Sequence, residues 1–438
     1  MNRGLAAQIL GASTLSIALR VAGLLLSYAA HIVLSRSLGL HGYGQYVVAL
    51  GWVMVLTLPA RLGFDYSALR YVTVYLDRGD KSGLHGFLRV SLWAVAIASF
   101  VVGAAMFLVG TAAGRSIDRP SLLAAATLVL PLALLGVLSV AMRIAKRIFA
   151  SQFYDQVLRP GLLLVLLVGW ALLDRERTPA SAMMLTTLAA LVALVALAVH
   201  FRRTFAESWA ARPSYAEWRG WFALSIPLLG IALSQEALNQ LEIILLGSLS
   251  DARAAGLFAA ASRLTSLTAF ALAAFGIISG PMIASAYHRS DFGELHQITK
   301  LTTRLALGFS ALVGIVFMIG GRFLLGLFGP EFTAAYPALL ILLLGGLVNA
   351  STGVVAYLMT LTGRERPALA IFVAALGLSL VLNLLLIPRL GVVGAAIAST
   401  CALSFWNVAM VFYVRRSIGI DASALGLSPR PARLPKRA

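Results

Sequence analysis

The stretch Leu10–Leu34, LGASTLSIALRVAGLLLSYAAHIVL, decides the fold. It is apolar and long enough to cross a bilayer as a helix. Yet Arg20 sits near its middle, where a charge costs about 2.5–3.5 kcal/mol on insertion scales. Such a charge persists when it pairs with an intramembrane acid, reaches the nearer surface, or faces a polar cavity. Helical spacing favours the cavity. Ser13, Ser16, Arg20, Ser27 and His31 recur at steps of three, four and seven on one face. Leu19, Ala22, Leu26, Ala29 and Val33 cover the other.

The rest of the chain extends this pattern. Of 438 residues, 60% are hydrophobic and 12% charged, a balance that excludes an ordinary soluble domain. Apolar segments at about 10–34, 43–64, 88–111, 121–142, 159–173, 180–199, 221–248, 256–286, 303–321, 335–361, 367–387 and 392–414 predict twelve membrane-crossing helices. Gly276, Gly280 and Pro281 predict a bend near the end of the eighth. The net charge of +18 would point to nucleic acid in a soluble protein. Here it follows the loops instead. With the N-terminus inside, 24 Lys and Arg fall in inside segments and 8 in outside ones. Arg20, Arg61 and Arg263 lie within spans. This bias places both termini in the cytoplasm. The first span reads as uncleaved, because a signal peptide has a shorter apolar core. The lone cysteine, Cys401, excludes a disulfide within the chain.

Three divisions follow: a six-helix lobe at 1–205, a second at 206–414, and a basic, disordered tail at 415–438. The polar stretch around His200–Gly220 is the natural linker, and Trp209, Trp218 and Trp221 point to a piece lying at the membrane interface. The halves echo each other. Ile32-Val33-Leu34 with Gly44-Gln45-Tyr46 matches Ile244-Leu245-Leu246 with Gly256-Leu257-Phe258 at an offset of 212 residues. Arg159-Pro160 matches Arg366-Pro367 at 207, each opening a helix. Span one maps onto span seven in the same orientation, so the repeat is parallel.

That mapping pairs the cationic first span with an acidic seventh. Glu236 and Glu242 lie among Gln235, Asn239 and Gln240. Carboxyl groups at this depth face water or each other, and they are candidates for exchanging a proton or binding a cation. Arg61 follows Pro59, and Asp65 lies one turn on, close enough to pair. Arg263 stands two turns into the eighth span among Ser262, Thr265 and Ser266. Asn349, Thr352, Tyr357, Asn383 and Asn407 are single polar residues that glue helices together. Asp77 and Asp80 form a solvated cluster. No phosphate loop and no zinc-spaced histidine pair is present in the sequence.

The run Ser35-Arg36-Ser37-Leu38-Gly39-Leu40-His41-Gly42-Tyr43-Gly44-Gln45-Tyr46 resembles the first outside loop of Wzx-type polysaccharide flippases. Gly63-Phe64-Asp65 with Leu69-Arg70-Tyr71 resembles the end of their second helix. Ala255-Gly256-Leu257-Phe258 through Arg263-Leu264 resembles the opening of their eighth. Leu327-Phe328-Gly329-Pro330 and Ile387-Pro388-Arg389-Leu390-Gly391 resemble parts of the last four. The order and spacing span nearly the whole chain. The family belongs to the multidrug/oligosaccharidyl-lipid/polysaccharide exporter superfamily, which includes the lipid II flippase.

The resemblance implies an all-α polytopic membrane protein with two six-helix bundles forming a V around a central cavity, working by alternating access in a bacterial cytoplasmic membrane. It implies a flippase moving a polyprenyl-pyrophosphate-linked oligosaccharide for surface polysaccharide synthesis. Arg20, Arg61 and Arg263 match, by helix, cavity arginines that meet pyrophosphate, with His31 on the same face as Arg20. Glu242 takes the place of a family acid; Glu236 and Asp65 are further ion-coupling candidates. No cofactor is called for beyond a coupling cation or proton. Expected partners are membrane lipids and the polymerase and glycosyltransferases of the same pathway, not nucleic acid. Two alternatives stand. A drug or cation antiporter would keep the fold. A membrane-embedded polymerase or ligase would need a large outside loop, and the predicted outside loops have about ten residues or fewer.

Overall fold

A computed structural model describes residues 3–113, 117–173 and 176–426. Its secondary structure is helical, with no strand among these residues. The elements are α1 (Arg3–Ala60), α2 (Phe64–Arg78), α3 (Lys81–Ala113), α4 (Arg119–Ile144), α5 (Ile148–Gln152), a π-helical turn (Phe153–Leu158), α6 (Arg159–Leu172), α7 (Pro179–Thr204) and α8 (Ala206–Ala210). There follow α9 (Trp218–Leu249), α10 (Ala252–His288), α11 (Phe292–Gly326), a 3-10 turn (Pro330–Ala335), α12 (Tyr336–Thr352), α13 (Val355–Leu361) and α14 (Glu365–Ser417). Nine stretches among the described residues are helical, long and apolar enough to cross a membrane. Two of them, in α1 and α14, are double passes. With α9, 32 residues long, they supply the twelve crossings the sequence predicts.

The chain divides into two compact units, Met1–Glu236 and Ala237–Ala438. In the first, α4 packs on α1, α2, α3 and α7 and is the most enclosed pass. Small residues on it, Ala124, Ala125, Ala133 and Gly136, allow the close approach. In the second, α10 packs on α11 and α12, and α12 on α14.

Several junctions differ from the sequence reading. The outside loop expected near Ser35–Tyr46 is not a loop: α1 changes direction at Gly39 alone (φ 67°, ψ 177°). Gly391 does the same in α14. A single left-handed glycine replaces several loop residues because it reverses the chain without a Cβ clash. The tenth span is broken at Gly353 (φ 72°), where a Cβ would lie 1.9 Å from Thr303 Oγ1 on α11. The fifth span starts at Ile148 rather than near 159, and Pro160 lies inside it rather than at its start. Gln152, Asp155 and Arg159 look like loop residues. In the structure Gln152 bonds Ser16, and Arg159 pairs with Asp155 at 3.0 Å. The π turn just before Pro160 leaves no i→i−4 bond for the proline to break. Helix α10 runs continuously through Pro281.

The stretch at 418–426 is packed, not disordered. Ile418, Ile420, Asp421 and Ala422 are buried, Thr303 donates to the Ala422 carbonyl at 2.9 Å, and Ala424 N–H donates to Ser351 O at 2.8 Å. Residues 427–438 of the predicted tail lie outside the described residues. Trp221 is not interfacial but fully buried, against Tyr71 and Phe87, with its N–H donated to Tyr75 Oη at 3.1 Å. Burial pushes the Tyr75 hydroxyl up to about 12. With Tyr75 bonded to Glu217 and Ser214 N–H to Ser82 O, residues 214–221 are fixed to the α2–α3 hairpin.

The structure adds a clear sign of the internal repeat. α2 and α10 end in the same way. Gly79 N–H bonds Leu76 O and Asp80 N–H bonds Tyr75 O; Ser290 N–H bonds Tyr287 O and Asp291 N–H bonds Ala286 O. Asp80 then accepts from Gly83 N–H and Asp291 from Glu294 N–H, capping α3 and α11. Arg78-Gly79-Asp80 and Arg289-Ser290-Asp291 are 211 residues apart. The ends of α4, at Lys146, and of α13, at Gly363, carry the same pair of bonds, 217 residues apart.

Candidate functional site

Each unit contributes polar groups that its apolar helices must accommodate. In the first unit the Arg20 face of α1 packs on the π turn. The Gln152 amide donates to Ser16 Oγ at 2.7 Å, and a Cβ on Gly23 would collide with the Gln156 carbonyl at 2.0 Å. Ser16, Arg20 and Gly23 are one turn apart, so Arg20 lies between these two contacts. It is half-buried, and its Nε is buried without a hydrogen-bond partner. No carboxylate of the described residues comes within ion-pair distance of it. Arg143, at the end of α4, is instead close enough to repel it. Ser13, on the predicted stripe, has no described side chain.

Arg61 sits in the turn between α1 and α2. It pairs with the buried Asp65 at 3.6 Å and donates to the Leu132 carbonyl at 3.2 Å. Its guanidinium lies over Gly136 of α4, where a Cβ would come within 2.3 Å of Cζ. Its Nε, too, is buried and unpartnered. His31 lies inside the unit, 4% exposed, with Tyr43 Oη 3.2 Å from Nδ1 and the Tyr46 ring beside it. Glu236 is half-buried at the last residue of this unit.

In the second unit Arg263 is half-buried on α10, with no described hydrogen bond from its side chain and its Nε buried and unpartnered. Glu242 is 2% exposed on α9. Ser379 of α14 donates to its Oε1 at 3.0 Å. Asn383, one turn on, donates from Nδ2 to the Ser379 carbonyl at 2.8 Å and to its hydroxyl at 3.1 Å, while its Oδ1 is buried with no partner. A carboxyl, a hydroxyl and an amide with an unpartnered oxygen therefore form one buried chain of contacts. Such a set can hold a proton on the carboxyl or a small cation among the oxygens. The sequence picked out Glu242 but left Asn383 as helix glue and passed over Ser379. The i, i+4 spacing of those two was the available signal.

The predicted residues thus fall into four settings: one free arginine against a π turn, one arginine tied to an acid, one free arginine on α10, and one buried acid cluster. The three arginines share a guanidinium donor that the protein leaves unsatisfied.

The fold defines a class. The structure superposes on the inward-facing conformation of a multidrug resistance MATE family transporter of the MOP superfamily, with a TM-score of 0.70 at 15% identity over 92% of this chain and 97% of that one. The lipid II flippase MurJ in an inward closed conformation gives 0.66 at 11% identity over 93% and 87%. A mutant of the Vibrio cholerae MATE transporter VcmN gives 0.62 at 18% identity over 94% and 97%. The protein is an all-α, multi-pass membrane protein with the two-bundle fold of these transporters. None of the curated proteins matches it by sequence. A family model described as polysaccharide biosynthesis protein matches residues 10–287, and the chain belongs to that family.

Proposed function

We propose that the protein flips a polyprenyl-pyrophosphate-linked oligosaccharide across a bacterial cytoplasmic membrane by alternating access, for surface polysaccharide synthesis. The observation that carries this reading is that Arg20, Arg61 and Arg263, within or at the edge of apolar spans, each hold a buried Nε–H with no acceptor, a state shared by Arg415 in the last turn of α14. An unsatisfied buried donor costs about 1–3 kcal/mol. Pyrophosphate is rich in charged acceptors and matches guanidinium geometry with bidentate bonds. Arg20 and Arg263 have no competing carboxylate and are the principal contacts. Arg61, already tied to Asp65, is the lesser one.

The cargo explains the need. Each sugar hydroxyl buried without a partner costs about 2–7 kcal/mol, so the head group crosses only in a polar enclosure while the isoprenoid tail stays in lipid. Glu242 with Ser379 and Asn383 supplies a place for a coupling cation or proton. The family description and the likeness to a lipid II flippase support this reading. Three of the connections at the end opposite the basic turns are very short: a single residue within α1 and within α14, and Ser250–Asp251 between α9 and α10. Connections this short have no room for the catalytic loop that a polymerase or ligase would need. The buried acid favours one second reading, an antiporter of small cationic drugs. Deleting the gene tests the choice. A flippase predicts lost surface glycan with unchanged drug sensitivity; drug hypersensitivity with intact glycan overturns it.

A further inference from the structure

A cavity of about 870 Å³ opens at the basic end of the first unit. It is bounded by the end of α2, the α2–α3 turn, the α4–α5 turn and the α7–α8 junction. Its volume falls in the ~300–1,000 Å³ range of small-ligand sites. Part of its charge is already used. Asp80 caps α3 through Gly83 N–H at 2.8 Å, and Lys81 Nζ bonds Glu207 Oε2 at 2.8 Å, tying α3 to α8. What remains is Lys146, Arg147 and Arg203, none with a described side-chain partner, and Asp77 across from them on α2. Leu76, Leu84 and Ile144 add apolar surface.

The α4–α5 turn fixes where Lys146 stands. Lys146 occupies the left-handed position that closes α4 (φ 60°), with its N–H bonded to Arg143 O and that of Arg147 to Met142 O. At the same position Gly79 closes α2, Gly363 closes α13 and Ser290 (φ 57°) closes α10. A lysine there bears a backbone strain that glycine avoids.

We infer that this cavity binds the phosphate-bearing head group of a membrane phospholipid, with Lys146, Arg147 and Arg203 on the phosphodiester and Asp77 selecting head groups that carry an ammonium. The location suits a lipid ligand. The site lies where four helix ends meet at the basic end of the unit, and basic pockets between helix ends accept lipid head groups at that depth. The three free cations and one free acid match a phosphate with an ammonium attached. This site is independent of the cargo proposed above.

Native mass spectrometry of the full chain, released from detergent with added phosphatidylethanolamine, phosphatidylglycerol or inorganic phosphate, tests it. Wild type should retain phosphatidylethanolamine in preference to phosphatidylglycerol and ignore inorganic phosphate at millimolar concentration. Lys146→Gly separates binding from folding, because glycine relieves the strained turn. It should melt no lower than wild type yet, combined with Arg147→Gln, lose about tenfold or more in lipid affinity. Asp77→Asn should keep binding and lose the preference for ethanolamine. Undiminished lipid retention in Lys146→Gly/Arg147→Gln overturns the site. Competition by inorganic phosphate overturns the lipid assignment in favour of a free phosphate. An unchanged preference in Asp77→Asn overturns the role of the acid.

Discussion

Replacing Arg20 by methionine should make the empty protein more stable and the working protein useless. The sign follows from what surrounds Arg20. It has no described acid or hydrogen-bond partner, its Nε is buried, and Arg143 repels it. Arg20 lies level with the end of α4, toward the basic end of its pass rather than at its middle, and an orphan donor there costs about 1–3 kcal/mol. Because Arg20 is only half-buried, about 1–2 kcal/mol is the share recoverable by a methionine of similar length. At roughly 2–4 °C per kcal/mol for a unit of this size, the substrate-free melting temperature should rise by about 2–8 °C. The same change removes a charge-assisted contact worth about 1.5–3 kcal/mol, which weakens binding of a short-chain prenyl pyrophosphate by roughly 10- to 100-fold. Arg20→Lys should fall between, keeping the charge but not the fork. Thermal unfolding of the purified protein and a binding titration read both numbers. A structural Arg20 predicts the reverse sign, since breaking a buried ion pair costs about 3–5 kcal/mol. A melting temperature that falls in Arg20→Met would refute the reasoning.

Other outcomes follow from particular contacts. Glu242→Gln keeps an acceptor for Ser379 and should fold normally while losing dependence on pH or on the coupling cation, whereas Glu242→Ala leaves the Ser379 hydroxyl without its partner and costs about 1–3 kcal/mol in thermal unfolding. Gly353→Ala meets both a left-handed backbone and Thr303 Oγ1, and should lower stability by more than about 2 kcal/mol, with Thr303→Ala restoring part of the loss. Lys81 holds the Glu207 carboxyl below its ordinary range, through a hydrogen bond first and charge second. A depressed carboxylate stabilises above its unfolded value and loses that contribution as pH falls through the folded one. Lys81→Met should therefore unfold slightly earlier than wild type at neutral pH, and the two curves should converge in acid. Trp221→Ala should cost about 3–5 kcal/mol and release residues 214–221 to proteolysis, read by limited digestion.

Hydropathy located the spans because twenty apolar residues leave few other choices in a chain this poor in charge. It failed where polar groups satisfy one another inside a helix. Gln152, Asp155 and Arg159 hid the start of the fifth pass because their partners, Ser16 and each other, lie one helix or one turn away. It also failed where one glycine does the work of a loop, at Gly39 and Gly391. Trp221 read as interfacial because its burial depends on Tyr71 and Phe87, which lie far off in sequence. Arg20, Arg263 and Glu242 stand out in the sequence as candidates because charge in an apolar run is rare. Their surroundings do not, because Ser379 and Asn383 lie 137 residues or more from Glu242. The repeat was legible in principle: Arg78-Gly79-Asp80 and Arg289-Ser290-Asp291 end and begin equivalent helices, and only the capping bonds show that the shared Asp has one job in both.

The central claim is translocation of a pyrophosphate-linked glycan, and proteoliposomes measure it directly. Purified protein is reconstituted with a labelled polyprenyl-pyrophosphate oligosaccharide, and a membrane-impermeant glycosidase reports how fast sugar reaches the outer leaflet. Wild type should expose the inner pool well above the rate of empty liposomes, and Arg20→Met with Arg263→Met should fall to that background at equal protein content. Transfer by wild type no faster than in empty liposomes, or unaltered transfer by the double variant, would contradict the account.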